Sequence, residues 1–372
     1  MTVERSPAGP ALTLATPAVP LLAVRDVSMT LPTPAGPLHA VDRVSFTLTA
    51  GQAVGIVGES GSGKSMLART ALGLAPASAR TTGSVRFAGR ELLGASARDL
   101  RPVLGPGIAM VFQDPSTALN PVLRIGRQLA ETLRLRGGLK RRAARERAVE
   151  LLRDVGIDEP ERRARSYPHE LSGGMRQRVC IALAVACDPR VLLADEPTTA
   201  LDVTVQRQIL DLLADLRARR GLGLVLITHD LAVAAGRTDH LLVMYAGQVV
   251  ESGPTAQVIR AARHPYTAAL LASVPRLDQP SHTRLATVPG TPATPVGSAH
   301  GCRFAPRCSR VLTHCRQREP VLADPWSHQP VGPRHAVACF APVGAAPGPG
   351  RGPGRLDGAN GEDGEDGEDG GP

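Results

Sequence analysis

An α/β fold is predicted by three features of this 372-residue sequence. Short uninterrupted apolar runs at Ala53–Val57, Ile108–Val111, Val191–Ala194 and Gly223–Thr228 read as strands buried inside a sheet. Longer Leu/Ala/Arg/Glu-rich stretches with helical spacing alternate with them. A glycine-rich loop, Gly58-Glu59-Ser60-Gly61-Ser62-Gly63-Lys64-Ser65, joins the first run to a helix beginning Met66-Leu67-Ala68.

That loop fits G-x-x-x-x-G-K-[ST], and the strand before it and the helix after it supply the context the motif requires. Glycines let successive backbone N–H groups turn inward on a phosphate, and the helix N-terminus adds partial positive charge. Lys64 is placed to reach the β- and γ-phosphates and Ser65 to ligate Mg²⁺. Composition argues the same way: of 43 Lys and Arg only Lys64 and Lys140 are lysine. A chain that prefers arginine keeps lysine where a compact ammonium must sit among phosphates. The competing reading is an ordinary Gly-rich turn before a helix.

Hydrophobic content of 42% supports a core, but aromatics at 2% mean it is built from aliphatic side chains. The net charge of +9 is spread thinly as arginine without aromatic interleaving, so nucleic acid is not an expected partner. No apolar run reaches the length of a membrane span. The Ala11–Val24 stretch is broken by Pro17 and Pro20 and follows Glu4, which argues against a signal peptide.

Taken in order, residues 1–20 are Pro/Ala/Thr-rich and expected to be disordered. Leu22–Met29 and Ala40–Leu48 read as strands around a Pro32–Pro37 hairpin loop, and Gly83–Gly89 as a further strand of this antiparallel layer. Ile108–Val111 runs into Gln113 and a Pro-stopped loop. Arg127 to about Val155 reads as helical, interrupted at Gly137-Gly138, and its basic run Arg136–Arg147 as a solvated helix face rather than a nucleic-acid patch. Ser172 is an N-cap, with Gly173-Gly174 open to close approach, before the apolar helix Val179–Ala186. Asp195 and Glu196 end the next strand, Asp202 follows, and Gly223–Thr228 delivers His229 at its end. Adjacent carboxylates at a strand's C-terminal end are costly as structure and useful as chemistry.

This order of motifs resembles the ATP-binding cassette (ABC) ATPases over about residues 21–256. The P-loop Gly58–Ser65, Gln113, the signature Leu171–Gln177, Asp195-Glu196, Asp202 and His229 occur in family order. The resemblance implies that Gly58, Ser60, Gly61, Gly63 and Lys64 hold the ATP phosphates, and that Ser65, Gln113 and Asp195 position Mg²⁺. It implies that Glu196 polarises the attacking water and that His229 contacts the γ-phosphate. Ser172 and Gly174 would complete the site of a second subunit, so that two cassettes sandwich two ATPs, and Asp202, as the D-loop residue, belongs to the ATP-binding set. One departure stands out. The family stacks adenine on an aromatic residue of the first hairpin, whereas the equivalent place is near Leu31 and residues 21–45 contain no Phe, Tyr or Trp.

Arg263–Pro275, Gly301–Cys308, and Gln113-Asp114-Pro115 leading to Leu119-Asn120-Pro121 are similar to the oligopeptide/dipeptide-importer branch of that family. Membership would imply two membrane-spanning permease subunits, a second and related but different ATPase, an extracytoplasmic solute-binding protein, and a place at the cytoplasmic membrane face. Met175, where many cassettes have Gln, favours the hetero-pair. Cys180 and Cys187 read as packing thiols of the apolar helix. Cys302, Cys308, Cys315 and Cys339 follow a C-x5-C-x6-C-x23-C spacing, which leaves an iron–sulfur cluster, Zn²⁺ and free thiols all open. Some members of the branch carry a [4Fe–4S] cluster on such cysteines.

The expected architecture is therefore a P-loop NTPase (RecA-like) core with an antiparallel β subdomain, an α-helical subdomain and a small Cys-containing C-terminal extension. The expected boundaries are 21–256 for the ATPase domain, with a helical insertion over about 116–167, then 257–343 for the C-terminal region and 344–372 for a disordered Gly/Pro/acidic tail. The expected function is the ATP-hydrolysing subunit of a di-/oligopeptide importer. Alternatives are an importer of another solute such as nickel, a soluble cassette acting on nucleic acid or the ribosome, and a cassette binding ATP as a switch without turnover.

Overall fold

The uninterrupted apolar runs become the middle of one sheet because no residue in them has a polar face to turn toward water. The computed structural model describes residues 20–274, 287–297, 300–323 and 335–344. The two tails expected to be disordered lie outside the described residues except for Pro20 and Gly344, as does Pro275 of the Arg263–Pro275 motif. The strands are β1 (Leu22–Thr33), β2 (Gly36–Leu48), β3 (Ala53–Val57), β4 (Arg80–Phe87), β5 (Arg90–Glu91), β6 (Ile108–Val111), β7 (Val191–Asp195), β8 (Gly223–Thr228), β9 (His240–Tyr245), β10 (Gln248–Pro254) and β11 (Ala336–Val337). A seven-stranded sheet runs β11-β10-β9-β3-β8-β7-β6. It is parallel from β9 to β6 and closes on one side with antiparallel β10 and β11. Every residue of β3, β7 and β8 is buried.

The second sheet is antiparallel, in the order β2-β1-β4-β5. Its hairpin is tighter than the sequence suggested. Both strands continue through the prolines, Leu31 pairs with Leu38 and Thr33 with Gly36, and only Pro34 and Ala35 are left to turn. Pro32 and Pro37 face each other in the register beside the turn, and the pairing of β1 with β4 has already ended at Thr30, so Pro32 has no partner strand on that side. The inner face of this sheet, including Leu22, Val24, Met29 and Val41, packs with Val54 and Ile56 of β3 and Leu67 of the Lys64–Ala71 helix in one apolar cluster. The helix that carries the glycine-rich loop is thus clamped between two sheets.

On the other side lies a helical layer. Helices Ile125–Leu135 and Arg141–Asp154 bury Leu129, Leu133, Ala144, Ala148 and Leu151 in the cluster shared with helix Gly173–Val185. The basic run Arg136–Arg147 covers the connection between the first two of these helices and the exposed start of the second, which is laced by contacts such as Arg142–Glu146 at 2.9 Å and Arg147–Glu150 at 2.9 Å. Among the described residues no helix is long and apolar enough to cross a membrane.

The C-terminal region is built onto the large sheet rather than hung from it. Glu251 pairs with Val337 and Ser252 with Ala336, so β11 lies along β10. In a chain with three Tyr and five Phe, Tyr245, Tyr266 and Phe304 meet as one edge-on cluster with ring centroids 4.8–5.4 Å apart. Beneath it, the fully buried Glu251 carboxylate accepts the backbone N–H groups of Arg263 (2.6 Å) and His264 (2.9 Å) and contacts His335 Nε2 at 2.6 Å.

Candidate functional site

Strand β3 ends at Val57 and the chain turns through Gly58–Gly63 into the helix beginning at Lys64. Two glycines are obligatory on steric grounds. A Cβ at Gly58 would stand 2.2 Å from the Met244 carbonyl oxygen, and one at Gly63, where φ is +98°, 2.1 Å from that of Ala40. The loop is therefore pressed against β9 and β2, with no room for a side chain at either position. Lys64 is buried, and its ammonium donates to the carbonyl oxygens of Gly58 (2.7 Å) and Glu59 (2.9 Å). Burial lowers its pKa, while Glu196, Asp195 and Glu59 act in the opposite direction.

The acidic end of β7 comes to the same place. Ser65 Oγ donates to Asp195 Oδ1 at 2.8 Å. Burial raises the pKa of Asp195 and neighbouring Glu196 adds to it, against the pull of Ser65, Arg69 and Lys64. A carboxylate in that state gains from a divalent cation beside it, and Ser65 and Asp195 are oxygen ligands of the kind Mg²⁺ takes. Glu196 is the hub. It contacts Gln113 Nε2 at 3.0 Å, Thr199 Oγ1 at 3.0 Å, His229 Nδ1 at 3.4 Å and Lys64 Nζ at 3.9 Å. Its own backbone sits at φ +44°, a conformation costly for a non-glycine residue and characteristic of sites where a side chain must be aimed.

A cavity of about 400 Å³ opens over the loop, with Ser60, Gly61, Lys64 and Ser65 on its floor and Gln113 and Glu196 at one end. Leu31, at the place where the family carries an aromatic, lines it together with Leu38. Gly58, Asp195 and His229 stand behind the lining, in contact with Lys64, Ser65 and Glu196 respectively, whereas Ser172, Gly174 and Asp202 lie apart from the cavity. Ser172 accepts from Met175 N at 3.3 Å, Asp202 from Val205 N at 2.9 Å, and a Cβ on Gly174 would lie 2.6 Å from Val205 Cγ1. They form a separate surface where two helix N-termini meet. Thr199 and the segment Pro292–Pro295, which also lines the cavity, were missed by sequence reasoning. Thr199 carries no signal beyond lying three residues after Glu196, and the Pro-rich segment reads only as loop.

Cys180 is buried as expected, its pKa pushed up to about 12 by desolvation. Cys187 lies beyond the helix end at Val185 and is only half-buried, because Ala186 caps that helix. Cys302, Cys308, Cys315 and Cys339 line one apolar pocket beside Phe304 and Phe340. The space left there is about 10 Å³, and among the described residues no group of three or more His, Cys, Asp or Glu is arranged as a metal site. Burial raises the thiol pKa of Cys302, Cys308 and Cys339, the last to about 12, and the backbone N–H groups that Cys308 and Cys339 accept at 3.4 Å act against it only in part.

Comparison with known proteins gives two family matches. Residues 41–199 match the ABC transporter family, and residues 250–315 match the family described as oligopeptide/dipeptide transporter, C-terminal region. The oligopeptide transport ATP-binding protein OppD of Mycobacterium tuberculosis is 50% identical over 322 residues, which are 86% of this chain and 52% of that protein. The chain thus spans about half the length of that relative. The probable peptide ABC transporter ATP-binding protein y4tR of Sinorhizobium fredii is 46% identical, over 86% of this chain and 94% of its own length. OppD of Salmonella typhimurium is 46% identical over 88% and 95%. Among solved structures, a dimeric post-hydrolysis state of the cassette MJ0796 bound to ADP and Pi is similar with a TM-score of 0.57 and 30% identity, covering 63% of this chain and 98% of that one.

Proposed function

The chain belongs to the ABC transporter family, in the branch that carries the oligopeptide/dipeptide transporter C-terminal region, and from that membership we propose that it is the ATP-hydrolysing subunit of a peptide importer. The observation that carries the reading is the convergence of Gln113, Thr199, His229 and Lys64 on Glu196, beside the Ser65–Asp195 pair and over a phosphate-binding loop. In our reading Lys64 and the loop amides hold the phosphates, and Ser65, Gln113 and Asp195 position Mg²⁺ and its waters. Glu196 orients and polarises the attacking water, and His229 contacts the γ-phosphate. Phosphoryl transfer to water asks mainly for positioning and charge stabilisation, which this arrangement supplies. Ser172, Gly174 and Asp202 serve a partner cassette, consistent with their separate surface.

Two membrane permeases, a second ATPase and an extracytoplasmic binding protein complete the proposed importer, with this chain on the cytoplasmic membrane face. Peptide as cargo rests on the relatives named above. The tagged protein, recovered from gently solubilised membranes, should bring two multi-spanning proteins and a related ATPase. Recovery of ribosomes or nucleic acid without membrane protein would overturn the transport reading.

The four C-terminal cysteines support a second proposal, a [4Fe–4S] cluster, through their shared pocket and the N–H groups aimed at sulfur. The pocket as it stands is too small for a cluster, so loading would require the segment to open around it. Anaerobically purified protein should contain iron and sulfide in about equal amounts, lost on replacing Cys315 by Ser. Zinc alone, or four titratable thiols without metal, would dismiss the cluster.

A further inference from the structure

A purine needs apolar surface against its flat faces, and the first hairpin offers no aromatic there, only the aliphatic Leu31 and Leu38, opposed across the β1–β2 ladder, and Ala40. The rest of that end of the cavity comes from far along the chain. Pro292, Ala293, Thr294 and Pro295 line it, and they are fixed there by a set of contacts that leaves them little freedom. His39 N donates to the Pro295 carbonyl at 2.9 Å, Gly297 N to that of Pro37 at 2.9 Å, and Val296 bridges Leu38, so the segment adds itself to the outer edge of β2. Ala293 N donates to Tyr245 Oη at 3.1 Å.

The segment is also tied to the phosphate end. The Arg307 side chain is 4% exposed and binds the Glu59 carboxylate of the glycine-rich loop through both Nη atoms, at 2.7 and 3.0 Å. The same guanidinium donates to the carbonyls of Pro289 (2.6 Å) and Val288 (3.3 Å) at the root of the segment. One rigid fork therefore sets the distance between the loop and the wall.

We propose that Pro292–Pro295 is a strap that forms the nucleobase wall of the site, in place of an aromatic on the first hairpin, with Arg307 as its positioning residue. The ligand class is a purine nucleoside triphosphate, and the proposal rests on the cavity being the nucleotide site. Proline rings present apolar surface on a backbone already restricted in φ, so little ordering remains to be done when the base arrives. The C-terminal region then takes part in nucleotide binding directly.

The test compares ATP with inorganic tripolyphosphate, which has the phosphates and no base. In titration calorimetry on the full chain, the double variant Pro292→Gly/Pro295→Gly should bind ATP roughly tenfold more weakly and tripolyphosphate unchanged. Arg307→Lys should shift the two ligands apart in the same sense. An ATP change below about threefold, or equal weakening of both ligands, would overturn the strap's role. Failure of the unaltered protein to bind ATP at all would sink the nucleotide reading itself. Photolabelling of the unaltered protein with 8-azido-ATP needs no variant to fold. Label is expected on peptides containing 292–297, and label confined to the Leu31–Leu38 hairpin would dismiss the strap.

Discussion

Glu196→Gln is expected to bind ATP with nearly unchanged affinity and to hydrolyse it roughly 10²–10⁴-fold more slowly, the usual contribution of a positioned general base. The amide has the shape of the carboxylate, so the contacts to Gln113 and Thr199 can be kept in altered form. What disappears is the charge that attracts a proton from water. Removing that charge beside phosphate also relieves repulsion, which is why binding should not suffer. Lys64 stays held by the loop carbonyls at 2.7 and 2.9 Å and does not depend on Glu196 at 3.9 Å. Single-turnover phosphate release, on the protein with whatever partners it is recovered with from membranes, is the measurement. Turnover within tenfold of the unaltered protein would remove Glu196 from the chemistry and leave Gln113 or His229 to be tested.

Replacing Glu251 by Leu should cost about 3–5 kcal/mol of stability, the range seen when one partner of a buried charged network is deleted. Its carboxylate is fully buried and holds three donors, the N–H groups of Arg263 and His264 and the ring of His335. A leucine of similar size satisfies none of them, and each orphaned donor carries its own desolvation penalty. Glu251→Gln should lose less, because one carbonyl oxygen remains to accept. Urea unfolding followed by circular dichroism would read both variants. A loss under about 1 kcal/mol for the leucine variant would mean that water reaches these donors.

The sheet core, the glycine-rich loop and the acidic strand end were legible because each is written locally. A run such as Val191–Ala194 followed by Asp195 and Glu196 announces its strand and its chemistry within six residues. The hairpin is tighter than its sequence suggests, because Pro32 and Pro37 signal a loop, whereas the register carries both strands through them and leaves only Pro34 and Ala35 to turn. What could not be read was assembled across the chain. Arg307 meets Glu59 over 248 positions, His335 meets Glu251 over 84, and Ala293 meets Tyr245 over 48. No periodicity encodes such pairs, and their residues look like ordinary surface charge or loop. The cysteine pocket is intermediate. Spacing brought the four thiols under suspicion, but only folding shows that they share one small apolar space.

Strand β11 is only two residues long, yet it lies along the outer side of β10. Without it, that margin of the sheet would present bare backbone donors and acceptors to any passing chain, which is how sheets stick to one another. A version of this protein shortened to the cassette alone would keep its nucleotide loop and gain an adhesive rim. Its poor solubility would then say nothing about whether the cassette had folded.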